Sequence, residues 1–296
     1  MTRLKISIVT PTFNQSDYIE QTITSVLHQN YSNLEYIIID GGSTDNTVEI
    51  IKKYSSHLTY WVSESDSGQA NAINKGLKYC SGEIFNWLNS DDYLQPGALD
   101  IISNAFEDKG VDIVAGQVNN FSLTHSEVAS NSNLSSEGLL RWGKGVQMVQ
   151  PGVWMRRKHF IECGALNETF HYSFDWDMLI RYLYLFPSVK YLDEVLVNFR
   201  LHDQSKTVSS INKFAAEERV IIEALFKNPL FKNIHPACRY KIKRTKWNSF
   251  LQERMEYNNH SRIRNIVSII SNLGKQPLDA GTTRMTLGAI KKILGS

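Results

Sequence analysis

Short apolar runs rich in β-branched residues alternate with amphipathic stretches over the first 115 residues of the chain. This alternation is typical of βαβ units and predicts an α/β fold with a Rossmann-like, mainly parallel sheet flanked by helices. In the first amphipathic stretch, Ile19, Ile23 and Val26 fall on one face of a helix, which would cover the sheet. The strands predicted from the apolar runs are Ile6–Thr10, Tyr36–Asp40, Tyr60–Ser63, Ile84–Leu88 and Ile113–Ala115.

Farther along the chain the pattern changes twice. The stretch 119–145 is rich in Ser and Asn and has little periodicity, which predicts a mobile loop. A helix is then predicted over Met178–Leu185 and a strand over Val195–Phe199, and the rest of the chain has the pattern of helices. We therefore expect two regions, 1–210 and a helical C-terminal extension, 211–296.

Charge is distributed unevenly along the 296 residues. With 42% hydrophobic and 21% charged residues, the composition excludes disordered and fibrous chains, and the formal net charge of +2 gives no reason to expect nucleic-acid binding. Residues 1–231 carry 19 Lys and Arg against 27 Asp and Glu, whereas residues 232–296 carry 13 against 3. The basic end predicts peripheral contact with an anionic membrane, although a solvated helical face is the commoner meaning of such charge.

The three cysteines, Cys80, Cys163 and Cys238, are far apart and form no Cys-x-x-Cys pair. This spacing gives neither a metal knuckle nor a redox site and fits a reducing compartment. No apolar run reaches the ~18 residues of a membrane span, and the first apolar stretch is too short for a signal peptide. The prediction is a cytoplasmic protein, with peripheral attachment at the inner face of the membrane as an extension of it.

Polar residues follow four of the predicted strands at their carboxyl ends, where doubly wound sheets bind ligands. They are Pro11, Thr12 and Asn14 after the first strand, Asp40 at the end of the second, Ser65 to Gly68 after the third, and Asp91 and Asp92 after the fourth. The Gly-x-Gly-x-x-Gly and Gly-Lys-Ser/Thr phosphate loops are missing from the sequence. Two adjacent carboxylates favour Mg²⁺ or Mn²⁺, with a helix N-cap as the alternative.

Four short motifs stand in a fixed order along the chain. They read SIVTPTFN at 7–14, IIDGGSTD at 38–45, SESDSG at 63–68 leading to AINKG at 72–76, and WLNSDD at 87–92. In this order they closely resemble the family 2 glycosyltransferases. The resemblance continues through Gln150–Gly152, Asp175–Asp177 and Phe199–Ser205, so that it covers roughly residues 5–210.

The resemblance implies a GT-A fold, with a nucleotide-sugar half at 1–115 and an acceptor half at 116–210. It implies an inverting enzyme that transfers a sugar from a nucleoside diphosphate sugar, with UDP as the expected nucleotide, to a hydroxyl of a glycan or lipid-linked acceptor. Surface polysaccharide biosynthesis is the expected setting, and Mn²⁺ or Mg²⁺ the expected cofactor.

The resemblance also assigns donor-binding residues. Asp40 matches the acid that contacts the base, with capping of the following turn as the alternative, and Asn71 stands where related sequences often carry Asp. That departure leaves the donor contacts near Ala70–Ile73 open. The full donor set is Pro11, Thr12, Asn14, Asp40, Asp66, Asn71 and Asp91.

The metal site is assigned in the same way. Asp92 is the expected direct ligand, and Asp91, although part of the metal motif, is expected nearer the donor ribose or sugar. His202, just after a predicted strand, is expected to ligate the metal or to donate to a phosphate oxygen, with an ordinary surface histidine as the alternative.

For the base, Asp175 aligns with the acid that closes the family's Glu-Asp motif, which here reads Phe174-Asp175. Asp177 is the second candidate, and if the helix has begun it projects about 200° away, so the two cannot share the role. Either acid could instead cap the helix. Gln150 and Trp154 flank the turn at Pro151 and are expected, with Asp177, near the acceptor, and core packing is the alternative for Trp154.

Two other functions compete with this hypothesis. A sugar nucleotidyltransferase would share the α/β crevice and the metal, but the Gly-rich, basic loop expected after its first strand is missing. A catalytically silent nucleotide-sugar-binding protein is disfavoured, because Asp40, Asp91, Asp92 and Asp175 are all present.

Overall fold

A computed structural model describes residues 3–202, 211–256, 262–274, 276 and 280–295. Contacts between residues divide the chain into two units, Met1–Glu218 and Arg219–Ser296. The predicted boundary after residue 210 borders residues 203–210, which lie outside the described part, as do Asp203, Gln204 and Ser205 of the last motif. The boundary therefore stays a prediction.

The N-terminal half of the first unit is built from parallel strands. Strands β1 (Ile6–Thr12), β2 (Leu34–Asp40), β3 (Tyr60–Ser63) and β4 (Ile84–Trp87) lie in the order β3-β2-β1-β4, and all pairings among them are parallel. All seven residues of β1 are buried, as expected for strands covered on both faces. The connecting helices are α1 (Ile19–Leu27), α2 (Thr47–Lys53) and α3 (Gln69–Leu77). This half confirms the predicted α/β fold.

The second half of the unit continues the same sheet with mixed pairing. Beyond β4 the strand order is β8-β6-β9-β5, with β7 paired to β6, which gives nine strands within the described residues. Of these added pairings only β6 with β9 is parallel. The elements are β5 (Tyr93–Leu94), α4 (Ala98–Ala105), β6 (Ile113–Phe121), β7 (Ser126–Ser130), α5 (Ser136–Arg141), β8 (Val153–Arg156), α6 (Arg157–Glu162), α7 (Phe174–Leu185) and β9 (Val189–Arg200).

Two expectations about this half are corrected. The sheet is mixed: the pairings among β1 to β4 and the pairing of β6 with β9 are parallel, and the remaining pairings are antiparallel. The stretch 119–145, predicted as a loop, contains the end of β6, its hairpin partner β7 and helix α5. Backbone pairing and the Ser135 side chain, which accepts a hydrogen bond from the Gly138 N–H, stabilise this polar segment without an apolar pattern.

The second unit is helical, as predicted. Helix α8 (Ile211–Lys227) crosses the division between the units and is followed by a short 3₁₀ helix, Pro229–Ile234. The remaining helices are α9 (His235–Glu256), α10 (Arg262–Leu273) and α11 (Ala280–Gly295). Their own core contains Trp247, Leu251, Ile269, Ala289 and Ile293. Among the described residues, no helix is both long and apolar enough to cross a membrane.

Candidate active site

A cleft of about 830 Å³ opens at the carboxyl ends of β1 and β4 in the first unit. Its volume lies within the ~300–1,000 Å³ typical of small-molecule sites. The polar and charged residues that line it include Thr12, Gln15, Asp66, Gln69, Asn89, Ser90, Asp91, Gln150, His171, Tyr172, Ser173, Asp175, His202 and Glu218. The parallel strands thus bring the predicted polar positions together.

The acidic turn after β4 is held from both sides. From α1, the buried Thr22 hydroxyl donates to the carbonyl oxygens of Ser90 and Asp92 at 2.9 and 2.7 Å. From the end of β9, Arg200 Nε donates to the carbonyl oxygen of Asp91 at 3.0 Å, and the Arg200 guanidinium stacks 4.8 Å above the Tyr18 ring. These contacts fix the direction of the two carboxylates.

Asp92, the predicted direct metal ligand, is not among the residues that line the cleft. Its side chain is fully buried, and its two carboxylate oxygens accept hydrogen bonds from the Arg200 N–H at 2.9 Å and Asn89 Nδ2 at 3.2 Å. Burial, followed by the neighbouring Asp91 charge, raises the pKa of Asp92 well above its ordinary value. These contacts favour a role for Asp92 in positioning the turn.

Asp91 lines the cleft, and one of its carboxylate oxygens lies 3.0 Å from His202 Nε2. Within the described residues there is no group of three or more His, Cys, Asp or Glu that could hold a metal. Asp91 and His202 lie close enough together to hold a divalent cation that completes its shell with water and phosphate oxygens, as Mg²⁺ commonly does. The pair fits such a cation.

The predicted nucleotide wall is present in part. Pro11, Thr12 and Asp66 line the cleft, and the buried Thr12 hydroxyl has no hydrogen-bond partner among the described residues. Phe13, to which the sequence motifs assigned no role, also lines it and is 58% exposed. Gly41 lies against this wall, since a Cβ there would come 2.9 Å from Asp66 Oδ2 and 3.4 Å from Phe13 Cδ2.

Asp40 does not line the cleft. It is fully buried, and its carboxylate accepts hydrogen bonds from the Gly42 and Ser43 N–H groups at 3.1 and 2.9 Å and from the Ser63 hydroxyl at 2.6 Å. These contacts favour the turn-capping alternative. Asp40 therefore holds the turn that follows β2.

Asn14 and Asn71 also lie outside the cleft lining. Asn14, with a φ of 50°, accepts a hydrogen bond from the Thr44 N–H at 2.9 Å and so fixes the loop after β1. Asn71 and Asn74 donate to the two carboxylate oxygens of Glu168 at 2.7 and 2.8 Å. An Asp at position 71 would face the Glu168 charge, which gives a structural reason for the amide there.

The two acids at the start of α7 face different surroundings. Asp175 lies in the first turn and lines the cleft, where the positive end of the helix dipole stabilises a carboxylate. Asp177 is buried and pairs with Arg181 at 2.7 Å. Burial raises the pKa of Asp177 despite the opposing Arg181 charge. This geometry favours Asp175 over Asp177 as the base.

The two predicted acceptor residues differ in position. Gln150 lines the cleft and donates to Asn86 Oδ1 at 3.1 Å. Trp154 is 1% exposed and packs in the hydrophobic core, which favours the packing alternative for it. Trp142, to which no sequence motif assigned a role, lines the cleft and is 37% exposed. A lone Trp in a polar stretch was the signal that could have identified it.

Glu217 holds the segment that leads into α7. Its carboxylate accepts three backbone hydrogen bonds, from the N–H groups of His171, Tyr172 and Ser173 at 2.7, 2.8 and 2.8 Å. This segment lines the cleft directly before Asp175. Glu217 therefore connects the first turns of α8 to the position of Asp175.

We expect Glu217→Gln to lower kcat roughly tenfold while the affinity for nucleoside diphosphate stays unchanged. The amide NH₂ would face a backbone N–H, so at least one of the hydrogen bonds that the charged carboxylate accepts would be lost, at a cost of about 1–3 kcal/mol. Steady-state kinetics and calorimetric titration test this, with Glu223→Gln on the exposed side of the same helix as the control. Transfer at the parental rate would contradict the positioning role.

A family model described as "Glycosyl transferase family 2" matches residues 7–164, which are more than half of the chain. An uncharacterised glycosyltransferase of Rickettsia typhi is 28% identical over 226 residues, which cover 72% of this chain and 69% of that protein. The chondroitin synthase of Pasteurella multocida is 28% identical over 225 residues, which cover 73% of this chain but only 23% of the synthase.

Solved structures show the same fold. The fragment 1–349 of S. aureus TarS in complex with UDP-GlcNAc has a TM-score of 0.65 at 15% identity, covering 99% of this chain and 89% of that one. The mannosyltransferase PcManGT of Pyrobaculum calidifontis, in complex with GDP-Man and Mn²⁺, has a TM-score of 0.60 at 16% identity and covers 100% and 87%. The GT-A fold is thereby confirmed. Since the matching model spans more than half of the sequence and all four ordered motifs, the chain belongs to glycosyl transferase family 2.

Proposed function

We propose that this glycosyltransferase moves a sugar from a nucleoside diphosphate sugar to a hydroxyl of a glycan or lipid-linked acceptor, with inversion at the anomeric carbon. The observation that carries the proposal is that one cleft is lined by Asp91 with His202, by the wall of Pro11, Thr12 and Asp66, and by Asp175. This arrangement supports a single site for a leaving group, its counter-charge and a base.

The donor is proposed to be UDP-linked. Among the structural neighbours, TarS is bound to UDP-GlcNAc and PcManGT to GDP-Man, so this fold accommodates both kinds of nucleotide. In this chain the exposed Phe13 ring offers a flat apolar face to the nucleobase. Gly41 and Asp66 lie beside this ring, and Asp66 offers the nucleobase a carboxylate. The Thr12 hydroxyl, buried and without a partner among the described residues, can bond to the nucleotide.

Asp91 and His202 would hold the divalent cation, Mn²⁺ or Mg²⁺, whose charge would offset the charge that develops on the diphosphate as it leaves. Asp175 accepts the proton of the acceptor hydroxyl as the oxygen attacks the anomeric carbon. With a single base and direct attack from the face opposite the diphosphate, the configuration at that carbon inverts.

The acceptor is proposed to bind along the aromatic side of the cleft. Trp142, Tyr172 and Phe214 line it together with Gln150. Tyr172 is held by the edge of the Phe214 ring at 5.5 Å between centroids and by Lys213, whose Nζ donates to the Tyr172 hydroxyl at 3.0 Å. Aromatic faces and amides are well suited to sugar rings.

The cell compartment is part of the proposal. All three cysteines are free and buried, and burial raises the pKa of Cys80 to about 12 and of Cys163 to about 11. Such thiols are unreactive and need no oxidising environment. We place the enzyme in the cytoplasm, where it would serve the synthesis of a polysaccharide.

A panel of nucleotide sugars tests the function. We expect release of nucleoside diphosphate with one donor in the presence of Mn²⁺ or Mg²⁺, and a fall of at least about tenfold when the metal is chelated. Nucleotide binding without turnover on any donor and acceptor would instead support a catalytically silent binding protein. Release of pyrophosphate from a nucleoside triphosphate and a sugar phosphate would identify a nucleotidyltransferase.

A further inference from the structure

An apolar stripe runs along the exposed side of α10 in the second unit. It consists of Ile263, Val267 and Ile270, which are 75%, 58% and 58% exposed. Spacings of four and three residues place these side chains on one helical face. About 100° around the helix from Ile270, the buried Ile269 belongs to the core of the unit. The helix therefore has an apolar face for its own core and a second one toward solvent.

Helix α11 also has exposed apolar residues on one face, and basic residues lie on the same face. Leu287 and Leu294 are 54% and 62% exposed and lie seven residues apart, so they share a face, and Lys291 lies between them on that face. Arg284 also falls on this side. Together with Thr283, Leu287, Gly288 and Lys291, it lines a shallow depression in which a Cβ added at Gly288 would meet no other atom within 4 Å.

Every charged residue of these two helices is basic. They are Arg262, Arg264, Arg284, Lys291 and Lys292, all of them exposed. Arg262 and Arg264 follow on either side of Ile263, about 100° around the helix from it. Arginine and lysine in such positions can place their stems along an apolar surface and their charges at phosphate level.

We propose that the exposed faces of α10 and α11, here called the basic apolar surface, bind the headgroup region of an anionic lipid bilayer. Charge complementarity selects this partner, because the surface is wholly cationic and residues 232–296 carry 13 Lys and Arg against 3 Asp and Glu. A second copy of the same surface would bring like charges together, which disfavours self-association. Binding of the basic apolar surface to a bilayer does not depend on the donor or acceptor of the transfer reaction.

The test is co-sedimentation of the full chain with vesicles of phosphatidylcholine alone or mixed with phosphatidylglycerol, at low and high salt. We expect binding only to the anionic vesicles, weakened by salt. Each basic side chain near the surface contributes roughly fivefold to partitioning, so Arg262→Gln, Arg284→Gln and Lys291→Gln combined should reduce it about 100-fold. A second variant, with Ile263, Val267 and Ile270 each changed to Ser, should reduce it similarly.

Matched controls come from the first unit. Lys52→Gln with Lys158→Gln removes exposed basic residues, and Leu123→Ser removes an exposed apolar one, and neither should change vesicle binding. Far-ultraviolet circular dichroism and nucleotide titration check that each variant remains folded. Equal binding to neutral and anionic vesicles, or no binding at low salt, overturns the proposal. Concentration-dependent self-association that the Ser variant abolishes, without vesicle binding, would assign the surface to a second copy.

Discussion

Replacing Asp175 by Asn should lower the rate of sugar transfer by about 10²–10⁴-fold while leaving nucleotide affinity almost unchanged. The amide has the shape of the carboxylate and can still accept the Trp176 N–H, which now bonds Asp175 Oδ1 at 2.7 Å. It cannot accept the acceptor proton. Because the loss falls on the chemical step, it should appear in kcat, measured by nucleoside diphosphate release, and not in calorimetric nucleotide binding.

Asp177→Asn is the matched control two residues away. This substitution weakens a buried ion pair in which Arg181 also donates to the Ala165 carbonyl oxygen at 2.8 Å, so it should lower the melting temperature. Turnover of the molecules that remain folded should stay near the parental value. If Asp177→Asn abolishes turnover and Asp175→Asn does not, the two acids have the reverse roles.

The sequence was sufficient to predict which strand ends meet. Apolar runs located β1 to β4 nearly residue by residue, and the rule that ligands bind at carboxyl ends then placed Thr12, Asp66 and Asp91 in one cleft. The pairing of β4 with β8 joins residues about 70 positions apart and leaves no local pattern. The mixed half of the sheet was therefore not predictable from periodicity.

The direction of individual side chains was the second feature that the sequence could not predict. Asp91 and Asp92 are neighbours of the same residue type, and the Asp92 carboxylate is held in its buried position by Asn89 Nδ2 and by the Arg200 N–H, 108 residues farther along the chain. Asp40 likewise has its partners in the following turn and in Ser63. For Trp154, the choice between core and cleft depends on which face of β8 carries it.

Asn71 shows how a distant partner can explain a departure from a family motif. Its amide bonds Glu168, which lies 97 residues away in the sequence. Hydrogen bonds from Asn74 and Asn71 lower the pKa of Glu168, so the acid is charged at neutral pH. A charged Glu168 favours amide side chains, which can donate to it, over carboxylates at the facing positions. The substitution therefore needs no change of donor sugar to account for it.

Replacing Asp91 by Asn should abolish the strengthening of nucleoside diphosphate binding by Mn²⁺. The carboxylate lies in the cleft beside His202, and an amide is a much weaker ligand for a divalent cation than a carboxylate. We expect the affinity measured with Mn²⁺ to fall at least about tenfold, toward the value measured with chelator, which itself should not change. His202→Ala should give a smaller loss of the same kind.

The Asp92→Asn variant tests whether Asp92 binds the metal or positions the turn that carries Asp91. Its amide can still accept the Arg200 N–H, and its side chain is buried behind the turn, so the Mn²⁺ effect should largely persist while the melting temperature falls. Calorimetric titration of the three variants, with metal and with chelator, distinguishes the roles. Equal affinity with and without Mn²⁺ in the parent protein would remove the metal from the proposal. Suppose instead that a fully folded Asp92→Asn variant no longer binds nucleotide more tightly with Mn²⁺, whereas Asp91→Asn still does. Asp92 would then be the metal ligand, and the turn would have to rearrange to bring its carboxylate into the cleft.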